Sequence, residues 1–179
     1  MNIQLVEAGA DGIPVLRRLM QLYLYDLGSL DGWDIGDDGT YGNAAKIERF
    51  WSDGPRDRYL VKAGDKLAGF VLTRVGTYFS GDDAREISEF FILKKYRLQG
   101  VGRMVAMYTF DRFDGTWEVR VMKRNTPALA FWRTVIAGYT DDRYEEFSAH
   151  HDSTEFVVFR FRGEDRAQRR HDTEPVPPA

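Results

Sequence analysis

Apolar residues near the start of the chain follow two different spacings. They alternate with polar residues over residues 2–8, which predicts a short strand. They then recur every three or four positions, which predicts a helix that Asp11 caps and Gly28 ends. The apolar stripe of this helix consists of Leu16, Leu19, Met20, Tyr23, Leu24 and Leu27. The chain therefore opens with a strand and an amphipathic helix.

A polar, glycine-rich stretch follows, and its composition predicts a loop over residues 29–41. A short helix is predicted over residues 43–51. Beyond it, residues 58–63 and 66–75 flank Gly64-Asp65, a dipeptide typical of a two-residue hairpin turn. This part of the chain therefore adds a pair of strands.

The second half of the chain mixes the same two spacings. The predicted elements are a strand at 86–93, a loop at 94–102, a helix at 103–113, a strand at 116–122, a helix from Thr126-Pro127 to about Gly138, and a closing strand pair at 139–147 and 155–161. Strands and helices do not alternate regularly, so this order predicts an α+β fold rather than a βαβ fold.

The composition fits one globular domain. With 43% hydrophobic and 30% charged residues among 179, the chain can bury one core, which we assign to residues 1–162. Residues 163–179 are charged, proline-rich and nearly free of apolar side chains, so we expect a disordered tail. The formal net charge of −3 gives no electrostatic support for nucleic acid or a membrane as partner.

Missing residue types narrow the chemistry further. The absence of cysteine excludes disulfides, thiolate metal sites and a cysteine nucleophile. The adjacent His150 and His151 would point to opposite faces of a strand, and no acidic cluster at ligand spacing accompanies them, so we assign no metal. Without a signal-peptide pattern or an apolar run of about 18 residues, we expect a cytoplasmic protein.

The segment between the predicted strand at 86–93 and the next helix carries the candidate chemistry. Gly100 and Gly102 precede a helix start, where unpaired amides and the helix dipole favour an anion. Positive charge around them comes from Lys94, Lys95, Arg97 and Arg103. The segment lacks the G-x-x-x-x-G-K-[ST] loop and the three-glycine dinucleotide fingerprint. We therefore predict a cradle for a pyrophosphate.

Two motifs resemble the GNAT superfamily of N-acetyltransferases. The run YRLQGVG at residues 96–102 is similar to that family's R/Q-x-x-G-x-G/A acetyl-CoA motif. Downstream, Asn125, Ala128, Phe131 and Trp132 resemble the family's N-x-x-A-x-x-F-Y helix. The resemblance implies the GNAT fold, in which helices flank a mixed, mostly antiparallel central sheet. It also implies acetyl-CoA as the cofactor and, as often in this family, a homodimer.

The resemblance implies how the cofactor binds. In the family, the strand before the loop diverges from its neighbour, and the pantetheine arm pairs with its main chain. The loop amides hold the pyrophosphate. The implied cofactor-binding residues are Phe91, Ile92, Leu93, Arg97, Leu98, Gln99, Gly100, Val101, Gly102, Arg103, Asn125 and Phe131.

Two carboxylates are candidates for the catalytic base that deprotonates an acceptor amine. Glu86 lies where some family members carry a catalytic glutamate, and it is our preferred base. Glu89 lies on the opposite face if the strand is regular. The alternative is that either residue is solvated or ion-paired. Where many members have a tyrosine that protonates the leaving thiolate, this chain has Trp132, so Tyr139, Tyr108 or water would supply the proton.

The family's acceptor wall corresponds to the first helix and the loop after it. Tyr25, Asp26 and Trp33 are the candidate substrate residues, because acidic and aromatic groups suit a cationic amine. The alternative is that the aspartates of the loop simply form turns.

These observations predict an N-acetyltransferase that transfers acetyl from acetyl-CoA to a small amine or a peptide amine, by direct attack in a ternary complex. Trp132 in place of the tyrosine favours an alternative, a non-catalytic acyl-CoA-binding sensor. A third hypothesis is a nucleotide-phosphate enzyme that uses the same loop.

Overall fold

A single mixed sheet organises the protein. The computed structural model describes residues 2–42 and 56–163, and seven strands in these ranges form a sheet of order β1-β2-β3-β4-β5-β7-β6. The strands are β1 (Ile3–Glu7), β2 (Arg56–Ala63), β3 (Lys66–Val75), β4 (Arg85–Ile92), β5 (Gly115–Met122), β6 (Tyr144–His151) and β7 (Thr154–Gly163). Every neighbouring pair is antiparallel except β4 with β5. The predicted α+β class and mostly antiparallel sheet are confirmed.

Helices cover both faces of this sheet. They are α1 (Ile13–Asp31), α2 (Val101–Phe110) and α3 (Thr126–Thr140), with short 3-10 turns at Ala10–Gly12 and Lys94–Tyr96. Under α1, Leu16 and Met20 pack on Phe70 and Leu72. On the other face, α2 and α3 enclose a larger core around Trp117, which is fully buried. Many of the aromatic side chains of this protein therefore lie in its core.

Several predicted boundaries shift. The N-cap of α1 is Gly12, no side chain caps this helix, and Asp11 lies in the preceding 3-10 turn. The helix continues through Gly28 to Asp31, because Gly32 supplies the left-handed C-cap with φ of 66°. Gly28 serves close packing rather than the helix end, since a Cβ there would lie 3.1 Å from the Tyr41 ring.

Two further predicted boundaries differ from the structure, at the end of α3 and at the end of β7. Helix α3 runs past Gly138 to Thr140, and Asp141 adopts the left-handed conformation that ends it. The predicted helix at 43–51 and the predicted tail from residue 164 onward lie outside the described residues. Gly163, which the sequence analysis placed in the tail, is the last residue of β7.

A bulge in β4 decides which side chains share a face. Leu72 pairs with Glu89 and Thr73 pairs with Ile87, so Ser88 is one residue too many in β4. Paired residues point to the same face of a sheet, and Glu86 pairs with Arg74, two residues beyond Leu72. Glu86 and Glu89 therefore lie on the same face, the one that α1 covers. The expectation that they lie on opposite faces is wrong because the strand is not regular.

We predict that Gly69→Ala destabilises the fold, because a Cβ at Gly69 would lie 1.9 Å from the carbonyl oxygen of Phe91. The cost should be about 1–3 kcal/mol, which thermal unfolding would show as a fall of several degrees in Tm. The matched control is Gly9→Ala, where φ is −67° and a Cβ would meet no atom within 4 Å. Equal melting temperatures for the two variants would contradict the close approach of β3 and β4.

Candidate active site

The loop before α2 presents a run of main-chain amides without partners. Leu98 and Gly100 both have left-handed backbone conformations, with φ of 59° and 79°. For Leu98 this costs about 1–3 kcal/mol, and such strain clusters at binding sites. Within residues 2–42 and 56–163, no hydrogen bond is donated by the amides of residues 98–103, and no side chain caps α2. These donors stand at the positive end of a helix dipole, which is a site for an anion.

Two glycines keep this region open in different ways. A Cβ at Gly100 would meet no atom within 4 Å, so the amides around it face open space. A Cβ at Gly102 would lie 3.1 Å from the Phe131 ring, so this glycine lets α3 approach the start of α2. The fold thus brings together Gly102 and Phe131, which the two sequence motifs placed at the cofactor.

The basic residues of the loop divide into two groups. Lys95 and Arg103 are exposed. Arg97 turns away from the amides: its Nε donates to the Ile92 carbonyl at 2.7 Å and its Nη2 donates to Asp26 Oδ2 at 2.6 Å. Lys94 Nζ lies 3.2 Å from the other oxygen of Asp26. Arg97 therefore ties the loop to α1, a contact that the motif alone does not reveal.

Strands β4 and β5 separate beside this loop. Their parallel pairing covers only Arg85–Ile87 against Trp117–Val119, and the two strands are unpaired beyond Ile87 in the described structure. The Oγ of Ser88, at the point of separation, is buried and has no hydrogen-bond partner among the described residues. This opening fits the expectation that an extended ligand pairs with the main chain of β4.

The main-chain groups predicted to hold the ligand are only partly available. The Leu93 amide donates to the Ala68 carbonyl at 2.8 Å, and the Leu93 carbonyl accepts from the Tyr96 amide at 2.8 Å. The Ile92 carbonyl accepts from Arg97. For these carbonyls a further bond would use the second lone pair, and the prediction for Phe91, Ile92 and Leu93 remains a prediction.

The residues at the start of α3 combine capping with packing. Asn125 is the N-cap of α3, and its Oδ1 accepts a hydrogen bond from the Ala128 amide at 3.2 Å. Trp132 is buried and meets Phe90 and Phe131 edge to face, with ring centroids 5.0 Å and 4.9 Å apart. Its indole therefore fills the core beside the opening.

The alternative proton donors lie in contrasting places. Tyr139 is buried against Phe110, with ring centroids 5.1 Å apart, whereas the side chain of Tyr108 is exposed on α2. The role of either tyrosine as proton donor to a leaving thiolate stays a prediction.

Glu86 joins three strands through ion pairs. The residue is only 1% exposed, and its Oε2 accepts from Arg74 of β3 at 2.5 Å while its Oε1 accepts from Arg120 of β5 at 2.7 Å. Both carboxylate oxygens thus carry charge-assisted hydrogen bonds next to the strand opening. This arrangement suits a residue that fixes the strands better than one that takes a proton from a substrate.

Glu89 instead lies beside Tyr23 of α1. Burial raises the pKa of the Tyr23 phenol well above its ordinary value, the charge of Glu89 and a hydrogen bond to it raise the pKa further, and Arg120 acts in the opposite sense. The phenol therefore stays neutral and can donate to the Glu89 carboxylate. Tyr23 lies beside the candidate substrate residues Tyr25 and Asp26 in the sequence, but its helical spacing favoured a place in the core.

Tyr78 covers the ion pairs from above. It belongs to the connection between β3 and β4, residues 76–84, which we call the 76–84 loop. The guanidinium carbons of Arg74 and Arg120 lie 4.6 Å and 4.4 Å from the centroid of its ring. Ser80 fixes the loop by donating to buried Glu118 at 2.6 Å. Sequence reasoning missed this group because its members come from separate strands and a polar loop.

The predicted acceptor residues are placed on and after α1. Tyr25 is 57% exposed and meets the Tyr41 ring edge to face, and Trp33 is 41% exposed. Burial disfavours the charge on Asp26, but hydrogen bonds and charges from Arg97 and Lys94 outweigh it, so the pKa of Asp26 lies below its ordinary value. Their role in acceptor binding stays a prediction.

One aspartate of the loop serves a turn, as the alternative interpretation held. Asp38 accepts hydrogen bonds from the amide and the hydroxyl of Thr40, at 3.0 Å and 2.9 Å. The backbone bond, followed by the side-chain bond, lowers the pKa of Asp38.

The structure thus places an amide-lined helix start beside two diverging strands, with aromatic and charged residues across the sheet. The sequence profile of the acetyltransferase (GNAT) family matches residues 20–136, and the chain belongs to this family. This confirms the family that the two motifs indicated.

Solved structures share the fold. An acetyltransferase from Thermus thermophilus superposes with a TM-score of 0.65 at 14% identity, over 90% of this chain and 97% of that one. Spermidine N-acetyltransferase from Vibrio cholerae, in complex with CoA and spermine, gives 0.59 at 13% identity, over 90% and 95%. Arabidopsis thaliana NAA60, in complex with a bisubstrate analogue, gives 0.59 at 11% identity, over 91% and 100%. No curated protein sequence matches this chain.

Among the residues that the structure describes, none of the helices has both the length and the hydrophobicity needed to cross a bilayer.

We predict that the Asp26 ion pairs stabilise the protein only where the carboxylate is ionised. Because its pKa is lowered on folding, the contribution is complete above the unfolded value of about 3.9 and disappears as the pH falls through the folded value. Asp26→Asn should therefore lower Tm at pH 7, and the difference from the unmodified protein should shrink below about pH 4.

The matched control for this measurement is Asp65→Asn, which removes an exposed ion pair to Lys66. It should change Tm little at either pH, because exposed pairs contribute about 0–1 kcal/mol. A pH-independent effect of Asp26→Asn would contradict the assignment.

Proposed function

We propose that this protein is an N-acetyltransferase that binds acetyl-CoA at the 98–103 amides and transfers its acetyl group to an amine. One observation carries the proposal. Among the described residues, the main-chain amides of residues 98–103 donate no hydrogen bond, and they lie beside the opening between β4 and β5. Membership of the acetyltransferase (GNAT) family supports it. The structure of spermidine N-acetyltransferase in complex with CoA and spermine also supports it, because that protein shares the fold.

The residues present fit the cofactor. The amides of residues 98–103 would hold the pyrophosphate, helped by the exposed charges of Lys95 and Arg103. The main chain of β4 from Ser88 to Ile92 would face the pantetheine arm, because β5 leaves that edge unpaired. The buried Ser88 hydroxyl, which has no partner among the described residues, gives a further polar group in the opening. When bound, acetyl-CoA supplies an acyl group on a thioester.

Glu89 is the better candidate for the catalytic base. An alkyl amine has a pKa of about 10.4, so it must lose a proton before it can attack at neutral pH. The two oxygens of Glu86 are held by Arg74 and Arg120, whereas Glu89 lies at the bulge with a phenol as neighbour. We therefore assign Glu89 to deprotonate the acceptor, Tyr23 to orient Glu89, and Glu86 to position the strands.

Fold neighbours and the family support an amine as the class of acceptor. Spermidine N-acetyltransferase was solved with spermine and NAA60 with a bisubstrate analogue, and we propose a small or a peptidic amine. Trp132 keeps a second candidate open, a sensor that binds acyl-CoA without turnover, because its indole replaces the expected tyrosine. Release of free thiol from acetyl-CoA across an amine panel separates the two. Tight binding with no release would favour the sensor.

We predict that Gly100→Glu weakens acetyl-CoA binding at least tenfold, because it places bulk and negative charge among the amides. Isothermal titration calorimetry measures the change. The matched control is Gly64→Glu in the β2–β3 hairpin, since Gly64 is also left-handed, with φ of 64°, and a Cβ there meets no atom within 4 Å. The same affinity in both variants would show that residues 98–103 do not hold the cofactor.

We predict that Glu89→Gln lowers kcat about 10²-fold or more, the usual contribution of a general base. The rise of kcat with pH that ionisation of the base produces should disappear. An unchanged pH–rate profile would remove Glu89 from this role.

The contrasting variant is Glu86→Gln, which leaves two partly buried guanidiniums facing a neutral amide. It should lower the free energy of unfolding by about 3–5 kcal/mol, measured by urea denaturation, while the shape of the pH–rate profile is retained. A normal stability together with a lost pH dependence would instead make Glu86 the base.

A further inference from the structure

The face of the sheet beside α1 carries an unusual set of charges next to the strand opening. Arg74, Glu86 and Arg120 are linked by ion pairs across β3, β4 and β5, and Glu89 shares their face because of the bulge at Ser88. We call these residues, without Ser88, the charged floor. Tyr23 of α1 borders the floor on one side, and Tyr78 of the 76–84 loop covers it on the other.

Arg120 has hydrogen-bonding capacity left in this setting. Its Nε–H donates to Glu86, and within the described residues no hydrogen bond uses its two terminal nitrogens. Its guanidinium carbon lies 4.4 Å from the centroid of Tyr78 and 5.2 Å from that of Phe156, so two rings fix the orientation of the group. The side chain is 17% exposed, which leaves it within reach of a ligand. A guanidinium with parallel N–H groups is suited to a carboxylate.

The charges of the floor constrain what can bind there. Within the floor, two guanidiniums and two carboxylates sum to zero. Beside it, buried Glu118 is matched by Arg160, since both contact the Ser80 hydroxyl. Partly buried charges are weakly screened, so a ligand that adds net charge costs more than one that brings balanced charges. A polyamine would place additional positive charge beside Arg74 and Arg120. A molecule with one ammonium and one carboxylate would match Glu89 and Arg120 and leave the region neutral.

Two acidic residues on and after α1 bear on this preference for a balanced ligand. Asp26 is ion-paired with Arg97 and Lys94, and Asp38 accepts the hydrogen bonds of its own turn. Both carboxylates are thus already engaged, which weakens the case for a purely cationic acceptor.

We propose that the acceptor is a free amino acid, with its amine at Glu89 and its carboxylate on the terminal nitrogens of Arg120. This inference rests on the proposed function. Glu89 takes one proton from the ammonium, and the amine nitrogen then forms the N–C bond as the thioester C–S bond breaks. The second proton lost by the nitrogen passes to the departing sulfur. Arg120 is a specificity-determining residue, and Tyr78 positions it.

The test compares acceptors that differ only by the carboxylate. Purified protein with acetyl-CoA is assayed for thiol release with phenylalanine and 2-phenylethylamine, tryptophan and tryptamine, leucine and isoamylamine, and with spermidine. We expect at least one amino acid to exceed its matched amine, and spermidine, in kcat/KM by tenfold or more. Turnover of the simple amines or spermidine without that preference overturns the inference and leaves the proposed function standing.

Variants then assign the preference to Arg120. Arg120→Met should raise KM for the preferred amino acid at least tenfold and lower kcat/KM for that amino acid more than for its matched amine, so that the preference disappears. Arg120→Lys keeps a charge for Glu86 and should retain part of the preference. Arg133→Lys, which alters an exposed pair with Glu146, is the control and should change neither. A preference that survives Arg120→Met contradicts the role of Arg120.

A lowered Tm together with weakened acetyl-CoA binding would show that Arg120→Met has a folding defect. Arg120→Lys then decides whether Arg120 causes the amino-acid preference. Full retention of the amino-acid preference in a folded Arg120→Lys protein, with no rise in KM, overturns the assignment. Tight binding of acetyl-CoA with no thiol release from any acceptor overturns the proposed function, and this inference with it.

Discussion

The separation of β4 from β5 after Ile87 is the constraint on which the site depends. A sheet gains its stability from continuous pairing, so two adjacent strands that diverge leave polar main-chain groups without partners. The protein compensates at the point of divergence. Glu86 bridges β3 and β5 through Arg74 and Arg120, and aromatic residues of α3 fill the space beneath Phe90. The opening is thus held by ion pairs on one face and by ring packing on the other.

The same divergence connects the two halves of the proposed chemistry. On the side of α2, the chain turns through two left-handed residues, and its amides find no hydrogen-bond partner in the part of the chain that the structure describes. On the side of α1, the bulge at Ser88 turns Glu89 onto the face of the sheet that carries Arg120. Tyr23 of α1 packs beside Glu89 there. Arg97 links these sides, because it contacts both the end of β4 and Asp26 of α1. The loop proposed to bind an anion and the face proposed to bind the acceptor therefore share one short segment of β4.

The sequence predicts most of the elements and the loop before α2 well, because both depend on local patterns. The hairpin at Gly64-Asp65 and the helix after Gly100 follow from turn residues and apolar spacing. The face of Glu89 could not be predicted, since a bulge depends on how β3 and β4 pair and leaves no mark in the spacing of β4. For the same reason the guanidiniums around Glu86 were missed: Arg74 and Arg120 are 46 residues apart in the sequence, and only the sheet order brings them together. The end of α1 was misplaced because Gly28 serves packing and Gly32 serves as the cap.

The account rests on the amides of residues 98–103 binding a pyrophosphate. Amide hydrogen exchange, followed by residue with and without acetyl-CoA, examines these groups one at a time, and acetyl-pantetheine serves as a ligand that lacks the pyrophosphate. The account predicts that acetyl-CoA slows exchange at residues 98–103 and that acetyl-pantetheine does not. If exchange at these amides is unchanged while acetyl-CoA binds, the cofactor is held elsewhere and the central claim is wrong.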